Sequence, residues 1–373
     1  MHSTLDRRAT FAAYAVFVLC VLAAPLLLDG FWLNRLAKYL VYGMLGIAIA
    51  MCWGYAGILN LGQGLFFGLG AYMLAMSLKM ASPASLQHGG NGPVPDFMLS
   101  NAEPGAAIDL CCINPMAFLW SPFRYQSFGL LMGLVLPVIV AFLLGLVMFR
   151  KRIAGVFVSI ITLALVLLVR LLLVDAQPLT NGFNGLSDLA WLKFGGFEFD
   201  PYSPATYYLV AFALLAVLIG ARLLLATRAG LILRATAADP QRARYLGFDV
   251  AHYQVFFFSL SAGIAALAGM LYVVVAEFAS PTFMDLAFSI TMVVWAAVGG
   301  RGSLLGACLG AILINMLEST ASETQSLVEA WRVIVGLAFV LVVLYLPMGF
   351  GGWAHDLLAR WNAPARPKAG GPA

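Results

Sequence analysis

The sequence predicts an all-α fold: a polytopic transmembrane helical bundle of about 8–10 membrane-crossing helices, with both termini on the inner side. Composition is the first reason. Hydrophobic residues make up 62% of 373 and charged residues only 10%, and mean hydropathy is +0.93. A soluble chain of this size could not hide that much apolar surface. The second reason is the recurrence of apolar runs close to the roughly 20 residues needed to cross a bilayer. The third is the placement of Lys and Arg, which cluster in alternate connecting segments.

The elements follow in chain order. Phe11–Leu28 comes after Arg7 and Arg8, as a signal peptide would. It is about as long as a span and lacks a clear small-x-small cleavage site, so it reads as an uncleaved first span. Leu36–Trp53 and Leu61–Met80 are the next two runs. Residues 82–126 carry six prolines with Gly89-Gly90 and Gly92, which predicts an irregular extracytoplasmic loop. Phe118, Trp120, Phe123 and Tyr125 in it suit the lipid interface. Phe128–Phe149 and Gly155–Val174 are two further spans, and 175–204 is a second outer loop.

Ala205–Ala226 and Tyr253–Ala276 flank a charged segment, 226–252. The apolar stretch Asp285–Leu317 is broken at Gly299-Gly300-Arg301-Gly302. It is too long for one span, so it reads as two short spans or a re-entrant pair. Val333–Gly349 is the last run, and the Pro/Gly/Ala-rich tail 363–373 reads as disordered. Residues 1–362 form a single membrane domain with no appended soluble domain in this reading.

With the N-terminus inside, most of the 21 basic residues fall on the inner side, and Asp6, Asp239, Asp249 and Asp356 are the acids there. The net charge of +4 is therefore a topology signal. A basic soluble domain of the kind that binds nucleic acid is missing.

Segment 226–252 is the most informative part of the chain. Arg228, Arg234, Arg242 and Arg244 sit in it. Asp239 can cap a helix, Pro240 fits its first position, and Gly247 is a suitable stop after Ala243 and Arg244. A short capped helix between two spans suits a handle gripped by a soluble partner. A plain basic inner loop is the other reading.

The run from Asn60 through Gly62, Gln63, Gly64 and Gly68 carries a second signal. Gly64 and Gly68 share a helical face that permits close backbone approach, while Asn60 and Gln63 are uncharged polar groups at its entry. This suits a helix lining a path for a small polar solute; ordinary helix packing explains the glycines equally. Gly302, Gly306 and Gly310 repeat at intervals of four and invite the same two readings. Arg170 lies inside a span near its outer end. Snorkelling is the favoured reading, and a structural ion pair or a contact on the path is the alternative. Cys20, Cys52 and Cys308 read as packing residues, and the adjacent Cys111-Cys112 give no disulfide framework.

Absent motifs narrow the function. G-x-x-x-x-G-K-[ST], H-E-x-x-H and G-x-S-x-G do not occur, and His2, His88, His252 and His355 are scattered. No metal centre or catalytic pair can be read. No Asp, Glu or His stands at the centre of a proposed span, which argues against a proton-driven carrier.

Five blocks in order carry a resemblance: GYAGILNLGQGLFFGLGAYM from Gly54, AGVFVSIITLAL from Ala154, LTNGFNGLSDL from Leu179, RATAADPQRARYLGFDV from Arg234, and AVGGRGSLLGACLGAILIN from Ala297. Together they resemble the permeases of ABC importers, of the branched-chain amino-acid and urea (LivM) type. The longer first outer loop with Pro95-Asp96-Phe97-Met98 and the GQGLFF wording are similar to the urea permease subgroup. The family loop signature is often E-A-A-x-x-x-G; here Gln241-Arg242-Ala243 fills its first places. Asn181 stands where relatives often carry Gly.

The resemblance implies a multi-pass protein of the bacterial inner membrane that imports a small nitrogenous solute, urea first. Branched-chain amino acids or short amides are the alternative cargo, and an autonomous channel or carrier is the alternative mechanism. It implies a second homologous permease, two cytosolic ATPases that bind the ATP and Mg, and an extracytoplasmic binding protein as partners. No cofactor is implied in this chain. Arg234, Asp239, Pro240, Arg242, Ala243, Arg244 and Gly247 would form the ATPase-coupling loop. Asn60, Gly62, Gln63, Gly64 and Gly68 would line the path.

Overall fold

The computed structural model describes residues 4–86, 94–98, 115–323 and 336–337. The run Val333–Gly349, the tail 363–373 and Cys111-Cys112 lie wholly or almost wholly outside the described residues. The long helices are α1 (Thr4–Ala23), α2 (Gly30–Ile49), α3 (Gln63–Met80), α4 (Gln126–Arg150), α5 (Val156–Asp175) and α6 (Pro204–Ala226). They are followed by α7 (Arg228–Ala238), α8 (Pro240–Tyr245), α9 (Val250–Ala276), α10 (Leu286–Gly299) and α11 (Leu304–Glu323). A π-helical turn, Ala50–Tyr55, extends α2.

Among the described residues, five stretches are long and apolar enough to cross a membrane: Gly30–Tyr55, α4, α5, α6 and α9. The structure is that of a polytopic helical membrane protein. In the apolar stretch of α9, 83% of residues are buried, against 22% in each of α4 and α5. The core is therefore α2, α3 and α9, with α4 and α5 turning Leu143, Phe142, Ile160 and Leu171 outward. Apolar side chains on that outer face belong against lipid. Small residues let the core helices touch by backbone: a Cβ at Gly70 would strike the Ala266 carbonyl, and one at Gly269 the Phe67 carbonyl.

Connections divide between two ends. The π-turn, the α4–α5 turn, α7, α8 and the α10–α11 turn meet at one end, which holds Arg150, Lys151, Arg152, Arg234 and Arg301. The segments after α3, α5 and α9 meet at the other: Trp120 Nε1 donates to the Leu179 carbonyl, Lys79 Nζ to the Ser187 carbonyl, and Leu186 pairs with Ala279.

Several expectations need correction. The 82–126 segment is not wholly irregular, since Pro115–Arg124 is 3-10 helical. The 175–204 segment contains a hairpin, β1 (Leu192–Phe194) with β2 (Phe197–Phe199), in antiparallel register Lys193 opposite Glu198. Gly195 and Gly196 both take positive φ in its turn, which suits a two-residue hairpin loop. Arg170 does not simply snorkel: its Nε lies 2.9 Å from Asp285 Oδ1. That Nε–H is not aligned as a hydrogen bond, so the contact is Coulombic. Gly302 lies in the turn before α11 and has open space around it, so it takes no part in a small-residue face. Gly310 does, against Gly299.

Candidate functional site: a buried polar junction and an exposed capped helix

Between the π-turn and α3 the backbone leaves helical geometry while still buried. Residues 56–62 run along α5, where Ser159 Oγ donates to the Leu59 carbonyl at 2.7 Å. Gly62 is packed on Thr162, whose carbonyl a Cβ at Gly62 would approach to 2.7 Å. Irregular backbone at membrane depth survives only where its polar groups find partners inside the protein. Here the side chains supply them. Asn60 Oδ1 accepts from the Gly62 amide at 2.8 Å, and Asn60 Nδ2 donates to Gln63 Oε1 at 2.7 Å. Gln63 Nε2 donates to the Ser261 carbonyl at 2.9 Å and to Ser261 Oγ at 3.0 Å. Ser261 Oγ donates in turn to the Ala48 carbonyl at 2.7 Å. One network therefore joins the last turn of α2 and the start of α3 to the middle of α9.

Gly64 and Gly68 face away from that network, onto the segment that precedes and opens α10. A Cβ at Gly64 would lie 2.7 Å from the Phe283 carbonyl and 2.8 Å from Ser289 Oγ, and one at Gly68 would strike Met284. Ser289 Oγ and Trp295 Nε1, both on α10, are buried and have no hydrogen-bond partner among the described residues. Around them stand Tyr42, Phe67, Tyr272, Phe283 and Phe288, with Tyr42 and Trp295 ring centres 5.0 Å apart. So the expected path residues come together, but in two groups: Asn60 and Gln63 are bonded to each other, while Gly64 borders Ser289 Oγ and Gly68 packs on Met284.

At the basic end, α8 forms where its cap and stop place it. Asp239 Oδ1 accepts from the Gln241 and Arg242 amides at 3.0 and 3.1 Å, and Arg242 Nε reaches Asp239 Oδ2 at 3.0 Å. Gly247 takes φ +88, which ends the helix and favours glycine. Arg242 and Arg244 are exposed, and Ala243 is buried beneath them. Asp249 then caps α9, accepting from the Ala251 and His252 amides. The hydrogen bond from the His252 side chain holds the Asp249 carboxyl below the usual carboxylate range.

The capped pair α7–α8 rests on the same segment that leads into the polar network. Arg234 lies over the Tyr55 ring at 5.1 Å, and Tyr55 donates to the Gly302 carbonyl at 3.0 Å. Gly57, at φ +69, faces Ala237 at 3.4 Å from its would-be Cβ. Three residues further on is Asn60. Sequence reasoning missed Tyr55, Ser261 and Ser289. A signal existed for the serines: hydroxyls inside apolar membrane helices are often interhelical contacts. For Tyr55 there was none.

The chain's apolar helices, five of them long enough to span a bilayer among the described residues, define a multi-pass membrane protein. The comparisons give the family. The profile of the branched-chain amino acid transport system permease component matches residues 31–344, and the chain belongs to that family. It is 26% identical to the high-affinity branched-chain amino acid transport system permease protein LivM of Escherichia coli K12, over 94% of this chain and 77% of the relative. It is 23% identical to the probable branched-chain amino acid transport permease protein LivM of Methanocaldococcus jannaschii, over 83% and 90%. A ribose import permease protein, RbsC of Haemophilus influenzae, shares 22% over 56% of this chain and 64% of its own. No solved structure matches. As a permease component, the chain is a transport subunit of the inner-membrane type without an ATPase of its own.

Proposed function

We infer that this chain is one membrane half of an ATP-driven importer of branched-chain amino acids, worked from its basic, cytosolic face. One observation carries the mechanism: a capped helix, α8, is held out at that face, and α7, which leads into it, rests through Arg234 and Ala237 on the Tyr55–Gly57 segment. Closure of two partner ATPases, which bind ATP and Mg, would press on α8. The push would pass through α7 to residues 55–60, and so to the Asn60–Gln63–Ser261 network that ties α2, α3 and α9 together. Shifting that network by one arrangement moves α3 against α10. The path then runs beside Gly64 and Gly68, next to Ser289 Oγ. A few kcal/mol of differential binding suffices to invert such a two-state balance.

The cargo rests on the relatives, which are named for branched-chain amino acids. The narrower urea reading rests on loop wording alone. A second permease and an extracytoplasmic binding protein complete the assembly in this reading. Reconstitution of the assembled importer in vesicles tests it. Labelled leucine should enter only with ATP and all partners, and excess urea should not compete. Competition by urea would replace the cargo, and flux through this chain alone would replace the mechanism with a channel or carrier.

A further inference from the structure

An open groove of about 790 Å³ runs between α4 and α9. Val138, Phe142 and Leu146 form one wall, and Phe256, Leu260 and Leu267 the other. Gly263 keeps its floor low: a Cβ there would come within 3.1 Å of Val138. At the basic end the groove opens between Arg150 and His252. Arg150 also lines a second, polar recess of about 410 Å³, with Arg152, Arg244, Gly247 and Asp249. From His252 to Leu267 the helix rises about 22 Å at ~1.5 Å per residue. One leaflet's hydrocarbon is about 15 Å deep. The apolar groove therefore covers the leaflet on the basic side, and the arginines stand at its headgroup level.

The charge balance at the mouth favours an anion. Arg150, Arg152 and Arg244 are exposed, and among the described residues none of the three has an ion-pair partner. The one carboxylate present, Asp249, is already engaged by His252 Nδ1 at 2.7 Å and by the α9 amides. An apolar helix of a neighbouring protein would fill the groove but leave three guanidinium groups facing nothing of opposite sign. An anionic phospholipid satisfies both ends. Basic pockets between membrane helices on the cytosolic side are a known form of lipid recognition.

We propose that the α4–α9 groove is a binding site for an anionic phospholipid, with an acyl chain along Phe142 and Phe256 and its phosphate on Arg150, Arg152 and Arg244. Arg244 belongs to α8 and Gly247 ends it, so the bound headgroup ties that helix to the membrane surface. The lipid then sets how rigidly α8 is held.

The test uses the complete importer in phosphatidylcholine nanodiscs with phosphatidylglycerol titrated in, and counts retained lipid by native mass spectrometry. Phosphatidylglycerol should be retained over phosphatidylcholine by about tenfold or more, as two or three basic contacts allow. Arg150→Gln with Arg152→Gln should remove that preference without changing phosphatidylcholine retention. Leu146→Trp, which narrows the groove, should lower retention of both. Equal retention of the two lipids by the wild-type complex overturns the proposal and needs no variant. Full displacement by glycerophosphoglycerol or inorganic phosphate also overturns it, as it would show a headgroup site only. So does a cross-linker at Phe142 that captures the second permease with no lipid retained. None of these outcomes depends on the cargo.

Discussion

Replacing Gln63 by Met tests whether the buried network is one cooperative junction. The substitution keeps length and removes three hydrogen bonds: one accepted from Asn60 and two donated to Ser261. Buried side-chain bonds in membrane helices average about 0.6 kcal/mol and reach about 1.7. Three of them give a loss of about 2 to 5 kcal/mol, increased because Asn60 Nδ2 is left buried without an acceptor. Asn60→Ala alone removes the Gly62 and Gln63 contacts and leaves Gln63 Oε1 orphaned. In the double variant neither orphan remains. The cycle should therefore be non-additive, with the double costing less than the sum by about 1 kcal/mol or more. The assay is thermal unfolding of the purified importer for wild type, both singles and the double. Strict additivity would show that the two side chains do not share a bond, and the junction would lose its role as a relay.

Four further outcomes follow from the same geometry. Gly247→Pro should leave the chain inserted but abolish ATP-driven uptake, because proline cannot adopt φ +88; normal uptake would sever α8 from coupling. Gly64→Leu should lower uptake sharply or lower abundance, since a Cβ already meets the Phe283 carbonyl at 2.7 Å; unchanged uptake at unchanged abundance would refute the close approach. Arg170→Gln should cost only about 0.5–1 kcal/mol in unfolding, because both partners are about one-third exposed, and the Arg170→Asp, Asp285→Arg exchange should recover part of it. Asp249 has a carboxyl lowered in the fold, so its contribution is present above the unfolded pKa of about 3.9 and is lost as pH falls below that range. Protection factors at Ala251 and His252, which remove the intrinsic rise of exchange with pH, should fall only in that acid window, and a fall between pH 5 and 8 would contradict the assignment.

Local chemistry was readable and distant pairing was not. Asp239-Pro240 and Gly247 mark α8 because a cap, a first-turn proline and a positive-φ stop act within a few residues. Asn181 replaces the usual glycine without loss of geometry, since its φ is +61 and Asn tolerates the left-handed region. The β1–β2 hairpin was overlooked although Gly195-Gly196 between two short aromatic-bearing segments is a hairpin signal. Composition drew attention to the loop as a whole and hid it. The Arg170–Asp285 pair and the Gln63–Ser261 bond join residues far apart in sequence, and nothing along the chain reports such contacts. Depth within a span suggested snorkelling for Arg170 because depth is all that one segment can show. The break at Gly299–Gly302 does separate two helices, α10 and α11, which two short spans and a re-entrant pair would share.

The central claim is that force enters this subunit at α8. A photoreactive residue in place of the exposed Gln241, in the assembled importer during ATP turnover, tests it most directly. Cross-links should form to an ATPase subunit, while the same group at exposed Tyr202 on the opposite end should capture none. Coupled uptake with no ATPase captured at Gln241 would place the driving contact elsewhere.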